Sequence, residues 1–207
     1  FGVSINASQA NATAFTTATI TAQDIYGNAT GSFDASADNV TISVDGTGSL
    51  SPTSLSSSGS FTGGVADLSG SLTFTGQAGS HTITATGVSG KIGAATTTIT
   101  AGASTSVKIV NGADSSATQV TTSALTADQT LPLWAAGYDI SGNWSGLLSG
   151  TWGSTGTLAP VVASTGVSSI VFAPTTAPTS GTITFTNGSL SAVTGDIVVT
   201  VGALDHF

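Results

Sequence analysis

Apolar and polar residues alternate at period two through most of the chain. Ala18-Ile20-Ala22, Val40-Ile42-Val44, Leu72-Phe74 and Ile83-Ala85 each place apolar side chains on one face. Their neighbours are mostly Thr and Ser, which suit the solvated face of a sheet. Gly-rich segments such as "DGTGS" at 45–49 and "GQAGS" at 76–80 separate these runs. The second half repeats the plan with Val107-Ile109, Leu131-Leu133 followed by Trp134, and the segments 156–162, 168–174, 181–187 and 196–202. The stretch 123–137 comes nearest to a helical pattern, but Pro132 interrupts it. The pattern predicts an all-β fold.

One motif occurs twice. "QDIYGNAT" at 23–30 returns as "YDISGNWS" at 138–145, so Asp24-Ile25-x-Gly27-Asn28 matches Asp139-Ile140-x-Gly142-Asn143 at a separation of 115 residues. That distance suits one β-sandwich plus a linker, and "AGAST" at 101–105 reads as the linker. The expected organisation is two sandwiches, residues 14–102 and 103–207, preceded by a segment 1–13. Each motif reads as a tight turn. The Asp side chain caps backbone N–H groups two residues on, and Gly27 and Gly142 supply a positive φ. A calcium loop built from Asp24, Asp34 and Asp38 is a rival reading, but the D-x-D-x-D-G spacing is missing. No metal site is expected.

Composition narrows the function. Of 207 residues, 39% are hydrophobic and only 6% charged, against roughly 25% charged in ordinary globular proteins. All ten acids are Asp, and Lys91 and Lys108 are the whole basic complement. This inventory is poor for helices and good for strands and turns. A net charge of −8 leaves no basic patch for nucleic acid. Without Cys there are no disulfides or thiolate metal sites. No apolar run is long enough to span a membrane as a helix. A chain that starts at Phe1 without Met reads as a processed or trimmed product, and removal of a signal peptide is one route to it.

Six of the seven Asn begin an Asn-x-Ser/Thr sequon: Asn6, Asn11, Asn28, Asn39, Asn143 and Asn187. Asn, Ser and Thr all favour turns, which accounts for part of the coincidence. The functional reading is N-glycosylation, placing the chain outside the cell, with covalent glycans and no other cofactor.

The first residues carry their own signal. Phe1, Val3 and Ile5 alternate with Gly2, Ser4 and Asn6, and a small polar stretch follows. That stretch spans about 26 Å when extended, at roughly 3.3 Å per residue. The strand either pairs within its own domain or inserts into a neighbouring subunit as a donor strand. Burial of the three side chains contributes roughly 5–8 kcal/mol before ordering costs.

Catalytic signatures are missing. His81 and His206 lie far apart, and neither G-x-S-x-G nor H-E-x-x-H occurs. No enzymatic activity is expected. Trp134, Trp144 and Trp152 fit either core packing or a sugar-binding platform.

The first half reads "AQDIYGNATG", "VTISVDGTGSLS" and "GGVADLSGSLTFTGQAGSHTITATG" in that order. These segments resemble the bacterial immunoglobulin-like domains of the invasin and intimin type. The second half, through "LWAAGYDISGN", "GTWGSTGTLAP" and "GTITFT", is similar to them more loosely. The resemblance implies two tandem immunoglobulin-like sandwiches and says little about activity. Immunoglobulin-like pilin domains also form Lys–Asn isopeptide bonds, for which Lys108 is the candidate. The strand-like N-terminus, paired β-domains and dense sequons together resemble the thread filament subunits of thermoacidophilic archaea. That resemblance implies an extracellular, glycosylated surface filament, polymerising head-to-tail from identical subunits by donor-strand complementation. It also suits a chain whose ten Asp would be protonated in acid with little consequence. The alternatives are a carbohydrate-binding adhesin module and the spacer domains of a larger surface-layer protein.

Overall fold

The computed structural model describes residues 1–158, 161 and 164–203, and every regular element within them is a strand. The chain divides into two units. Unit 1 is Phe1–Gly102 together with Ser141–Asn143, and unit 2 is Ala103–Ile140 with Trp144–Phe207.

Unit 1 contains β1 (Gly2–Ile5), β2 (Ser8–Ala10), β3 (Ala18–Thr21), β4 (Val40–Val44), β5 (Gly48–Ser51), β6 (Ser54–Leu55), β7 (Val65–Asp67), β8 (Thr73–Gly76), β9 (Gly79–Gly87) and β10 (Ile92–Thr100). One sheet has the order β1-β3-β7 and the other β2-β10-β9-β4-β6, with β5 and β8 as a separate pair. The alternating residues of both sheets meet in one core. Ala18 and Ile20 come from one sheet, Val40, Ile42, Ile83, Ala85 and Ile99 from the other, and Phe15, Leu72 and Phe74 fill the space between. The outward positions are the Thr and Ser that the alternation predicts.

Unit 2 contains β11 (Ser106–Val110), β12 (Ser123–Thr126), β13 (Leu131–Tyr138), β14 (Trp144–Leu147), β15 (Gly150–Ser154), β16 (Thr165–Val167), β17 (Ser169–Phe172), β18 (Thr179–Gly181), β19 (Ile183–Asn187), β20 (Leu190–Val193) and β21 (Ile197–Thr200). β13 pairs with β11, β14 and β17, while β12-β21-β18 and β16-β15-β19-β20 form the other ladders. β18 and β19 follow one another along β21 and β20, and together make an interrupted hairpin. The extra residue of this hairpin lies between β20 and β21. There the Thr194 hydroxyl accepts the Ile183 N–H at 2.9 Å. Trp152 and Phe185 meet edge to face at 4.9 Å in the core.

The two units share one topology. In unit 1, β1 pairs antiparallel with β3, β2 runs parallel to β10, and β9 lies between β10 and β4. In unit 2, β11 pairs antiparallel with β13, β12 runs parallel to β21, and β19 lies between β20 and β15. A first strand on one sheet, a second strand parallel to the last on the other, and a central antiparallel trio is the immunoglobulin order. The protein is all-β, built as two tandem immunoglobulin-like sandwiches.

The structure corrects the reading of residues 1–13. Within this chain they are not a free strand and tether, because both sheets of unit 1 use them. β1 pairs with β3 from Gly2↔Thr21 to Ile5↔Ala18, and β2 pairs with β10. Phe1, Val3 and Ile5 pack half-buried against the core of their own unit. Phe1 and Phe33 lie edge to face at 5.4 Å, and Phe33 meets Phe61 at 4.7 Å. Gly93 is shaped to this arrangement, since a Cβ there would overlap the Phe1 carbonyl. β10, "IGAATTTIT", was not legible as a strand, because Thr and Ala blur its alternation. Of the segment expected at 156–162, Gly156–Leu158 is a turn and most of the rest lies outside the described residues.

Candidate functional site

The two Asp-Ile-x-Gly-Asn motifs occupy the same topological position. Asp24 follows β3 and Asp139 follows β13, the strand that pairs with the first strand of each sandwich. Gly27 (φ 86°) and Gly142 (φ 80°) both take the left-handed conformation that the turn requires.

The first turn is self-contained. Asp24 Oδ1 accepts the N–H groups of Tyr26 and Asn28, each at 2.9 Å, and Oδ2 accepts the Asn28 side-chain amide at 3.0 Å. The backbone closes as Asp24 donates to the Asn28 carbonyl and Gly27 to the Asp24 carbonyl. The Asn28 side-chain amide, followed by its backbone N–H, holds the Asp24 carboxyl below the usual carboxylate range. Ile25 and Tyr26 stand in solvent, 87% and 84% exposed.

The second turn is engaged. Asp139 and Asn143 are buried. Within unit 1, Asn143 Oδ1 accepts the Ala78 N–H at 2.8 Å, and its Nδ2 donates to the Gly76 carbonyl at 3.0 Å. Asn11 joins them: its Oδ1 accepts the Gly76 N–H at 2.9 Å and its Nδ2 donates to the Ser141 hydroxyl at 2.9 Å. The Gln77 amide donates to the Ser141 carbonyl at 2.9 Å. Two carboxamides thus bracket the β8–β9 corner and bond three of its main-chain groups, the Gly76 N–H and carbonyl and the Ala78 N–H. Sequence reasoning missed this corner; "GQAGS" reads only as a turn.

The sequons divide by environment. Asn28 and Asn39 are exposed. Asn6 is half-buried, with its amide donating to Thr16 and accepting from the Thr17 N–H. Asn187 is half-buried, its Nδ2 donating to the Ser149 carbonyl at 2.7 Å. Asn11 and Asn143 are the correction. Only 2% and 7% of their surface is exposed, so a glycan on either Nδ2 would have to displace the groups packed around it.

Lys108, the isopeptide candidate, lies on the outer face of its strand. Alternation in β11 turns it outward, where it is exposed and its Nζ lies 4.7 Å from the Tyr138 ring centroid. A buried, desolvated amine facing a carboxamide is not what this position provides. Asp24, Asp34 and Asp38 do not converge. Asp34 receives the Ser36 N–H and Asp38 the N–H and hydroxyl of Ser89, and no group of three metal-ligating side chains occurs among the described residues.

Trp152 is buried, with its indole N–H donating to the Val167 carbonyl. Trp134 and Trp144 are half-buried. His81 is buried against Phe74, with ring nitrogens at the Gln77 and Asp45 carbonyls; His206 lies outside the described residues. No helix is long and apolar enough to cross a membrane among the described residues.

No described protein family matches the chain, and no curated protein sequence is similar to it. Solved structures with partial likeness include murine CEACAM1b, at 13% identity over 73% of this chain and 74% of that one, with a TM-score of 0.26. Another is the N-terminal four immunoglobulin domains of Dscam1 isoform 6.9, at 9% identity over 97% of this chain and 46% of that one, with a TM-score of 0.30. The chain therefore spans under half the length of the Dscam1 fragment. Strand order within each unit, rather than these scores, carries the fold assignment.

Proposed function

We propose that this chain is a structural pair of immunoglobulin-like modules serving as spacer domains in an extracellular surface assembly. The observation that carries this reading is that β1 and β2 complete both sheets of unit 1 from within. A sandwich closed by its own first strands has no need of a strand from a neighbour. The outward Thr and Ser faces and the low charge suit a passive, hydrated surface. Exposed Asn28 and Asn39 are the sequons best placed to carry glycans.

A filament subunit assembled by donor-strand exchange remains the competing structural reading, and it requires β1 to leave β3. Deleting residues 1–10 separates the two. On the spacer reading the truncated chain loses cooperative unfolding of unit 1, and the intact chain stays monomeric by sedimentation. A truncated chain that remains folded while the intact chain forms filaments by electron microscopy would overturn it.

A further inference from the structure

We infer that segment 173–178 of unit 2 is an O-glycosylation site, which takes sugar on the hydroxyls of Thr175 and Thr176. This adds a second linkage to the Asn-linked glycans and rests on the spacer reading only in placing the chain where glycosyl transfer takes place.

The segment reads Ala-Pro-Thr-Thr-Ala-Pro with Thr179 next, so Ala-Pro-Thr occurs twice in succession. Ser/Thr-rich stretches with proline are the compositional mark of O-linked sugar. Ser and Thr are abundant throughout this chain, so composition alone does not single out the segment. Its structure does. β17 ends at Phe172 and β18 begins at Thr179, and between them the main chain joins no ladder. Among the described residues its one hydrogen bond is the Thr176 carbonyl accepting the Thr179 hydroxyl at 3.2 Å. Pro174 and Pro178 lack the N–H groups that strand pairing needs. Phe172 and Pro174 are buried and anchor the start of the segment, while Thr175 and Thr176 are both exposed. Neither threonine hydroxyl has a hydrogen-bond partner among the described residues.

Other hydroxyls are held differently. Thr82, Thr84 and Thr86 alternate outward along β9, but that strand lies between β10 and β4 and is paired on both sides. Thr53 follows Pro52 and is exposed, yet its carbonyl accepts the Ile42 N–H at 2.8 Å. A transferase that draws either stretch into its cleft breaks sheet bonds. Drawing in 173–178 costs only the bond from the Thr179 hydroxyl. The reaction is glycosyl transfer from a sugar carried on a phosphate leaving group. The threonine oxygen bonds to the anomeric carbon as the bond from that carbon to the phosphate oxygen breaks, and the hydroxyl proton passes to a base of the transferase. The consequence is local hydration. No charged residue occurs between Asp139 and Asp196, and Val171 in β17 and Val198 in β21 are 64% and 43% exposed. Sugar on this segment supplies the polar cover that charge does not.

The test is peptide mapping of the natively produced full chain. No Asn lies between Asn143 and Asn187, so sugar on a peptide from that interval is linked through a hydroxyl. The peptide containing 173–178 should carry a mass increment of at least one sugar, located on Thr175 or Thr176 by fragmentation. Mild alkali should remove the increment by β-elimination and leave a dehydrated threonine. The peptide containing 82–86 should keep its bare mass. Thr175→Ala combined with Thr176→Ala, produced in the same cells, should abolish the increment. A bare 173–178 peptide from the native chain, sugar equally frequent on 82–86, or an increment that survives the double substitution overturns the inference. Each of those outcomes leaves the spacer reading intact, since the deletion of residues 1–10 tests it separately.

Discussion

Asn143 holds Ala78 by its main chain, accepting the N–H on Oδ1 at 2.8 Å while its own Nδ2 reaches the Gly76 carbonyl at 3.0 Å. The same residue type in the same motif, Asn28, is exposed and bonds only within its turn. Asn143→Ala should therefore destabilise by about 1–3 kcal/mol, because it strands a buried donor and acceptor. Asn28→Ala in the same chain should stay within about 0.5 kcal/mol. Denaturant melts of the two variants compare them directly. Equal losses would mean that the bridge to Gly76 and Ala78 contributes nothing.

Gly93 lies so close to Phe1 that a Cβ would overlap the Phe1 carbonyl. Gly93→Ala should displace the start of β1 and cost about 1–3 kcal/mol. Hydrogen exchange at Val3 and Ile5 should accelerate, while the core of unit 2 keeps its protection. Unchanged exchange in β1 would show that the first strand does not pack as described.

Trp152 is buried edge to face against Phe185. Trp152→Ala should cost about 3–5 kcal/mol through the cavity it leaves. A glycan-array signal that disappears in this variant while its melting temperature is unchanged would favour the adhesin reading.

Five aspartates share one direction. Asp24, Asp38, Asp67 and Asp114 are held below the ordinary carboxylate range chiefly by the side chains of Asn28, Ser89, Ser69 and Ser116, and Asp45 chiefly by the Thr82 N–H. A depressed folded-state pKa means that the unfolded chain binds more protons in acid. The stabilisation is present above the unfolded value, about 3.9, and is lost as pH falls through the lowered folded values. The melting temperature should hold from pH 7 to 5 and fall below about pH 4. This prediction runs against the expectation that acid changes the chain little: the carboxylates are acceptors for turn N–H groups and hydroxyls, and protonation weakens those bonds. A melting temperature unchanged down to pH 2 would refute it.

Peptide mapping of the natively produced protein should find glycan at Asn39, and unmodified Asn at Asn11 and Asn143. Their burial with bonded Nδ2 atoms leaves no room for a sugar. Occupied Asn143 would contradict the fold around the β8–β9 corner.

Much of the fold was determined by the sequence alone. Alternation at Val40-Ile42 and Ile83-Ala85, the glycine turns and the scarcity of helix formers left an all-β chain as the consistent outcome, because side-chain direction in a strand depends only on neighbouring residues. The Asp24–Asn28 turn was equally legible, since its capping bonds lie within five residues of chain. Tertiary structure decided where those elements went. Phe1, Val3 and Ile5 have the same alternation whether they serve their own sheet or another's, and only the tertiary structure sets them in register beside β3. The motif copies are alike in sequence, yet Asn28 remains exposed while Asn143 is buried against Gly76 and Ala78, residues more than 60 positions away. Hydrogen bonds of that separation leave no local pattern, because either partner reads by itself as an ordinary turn residue.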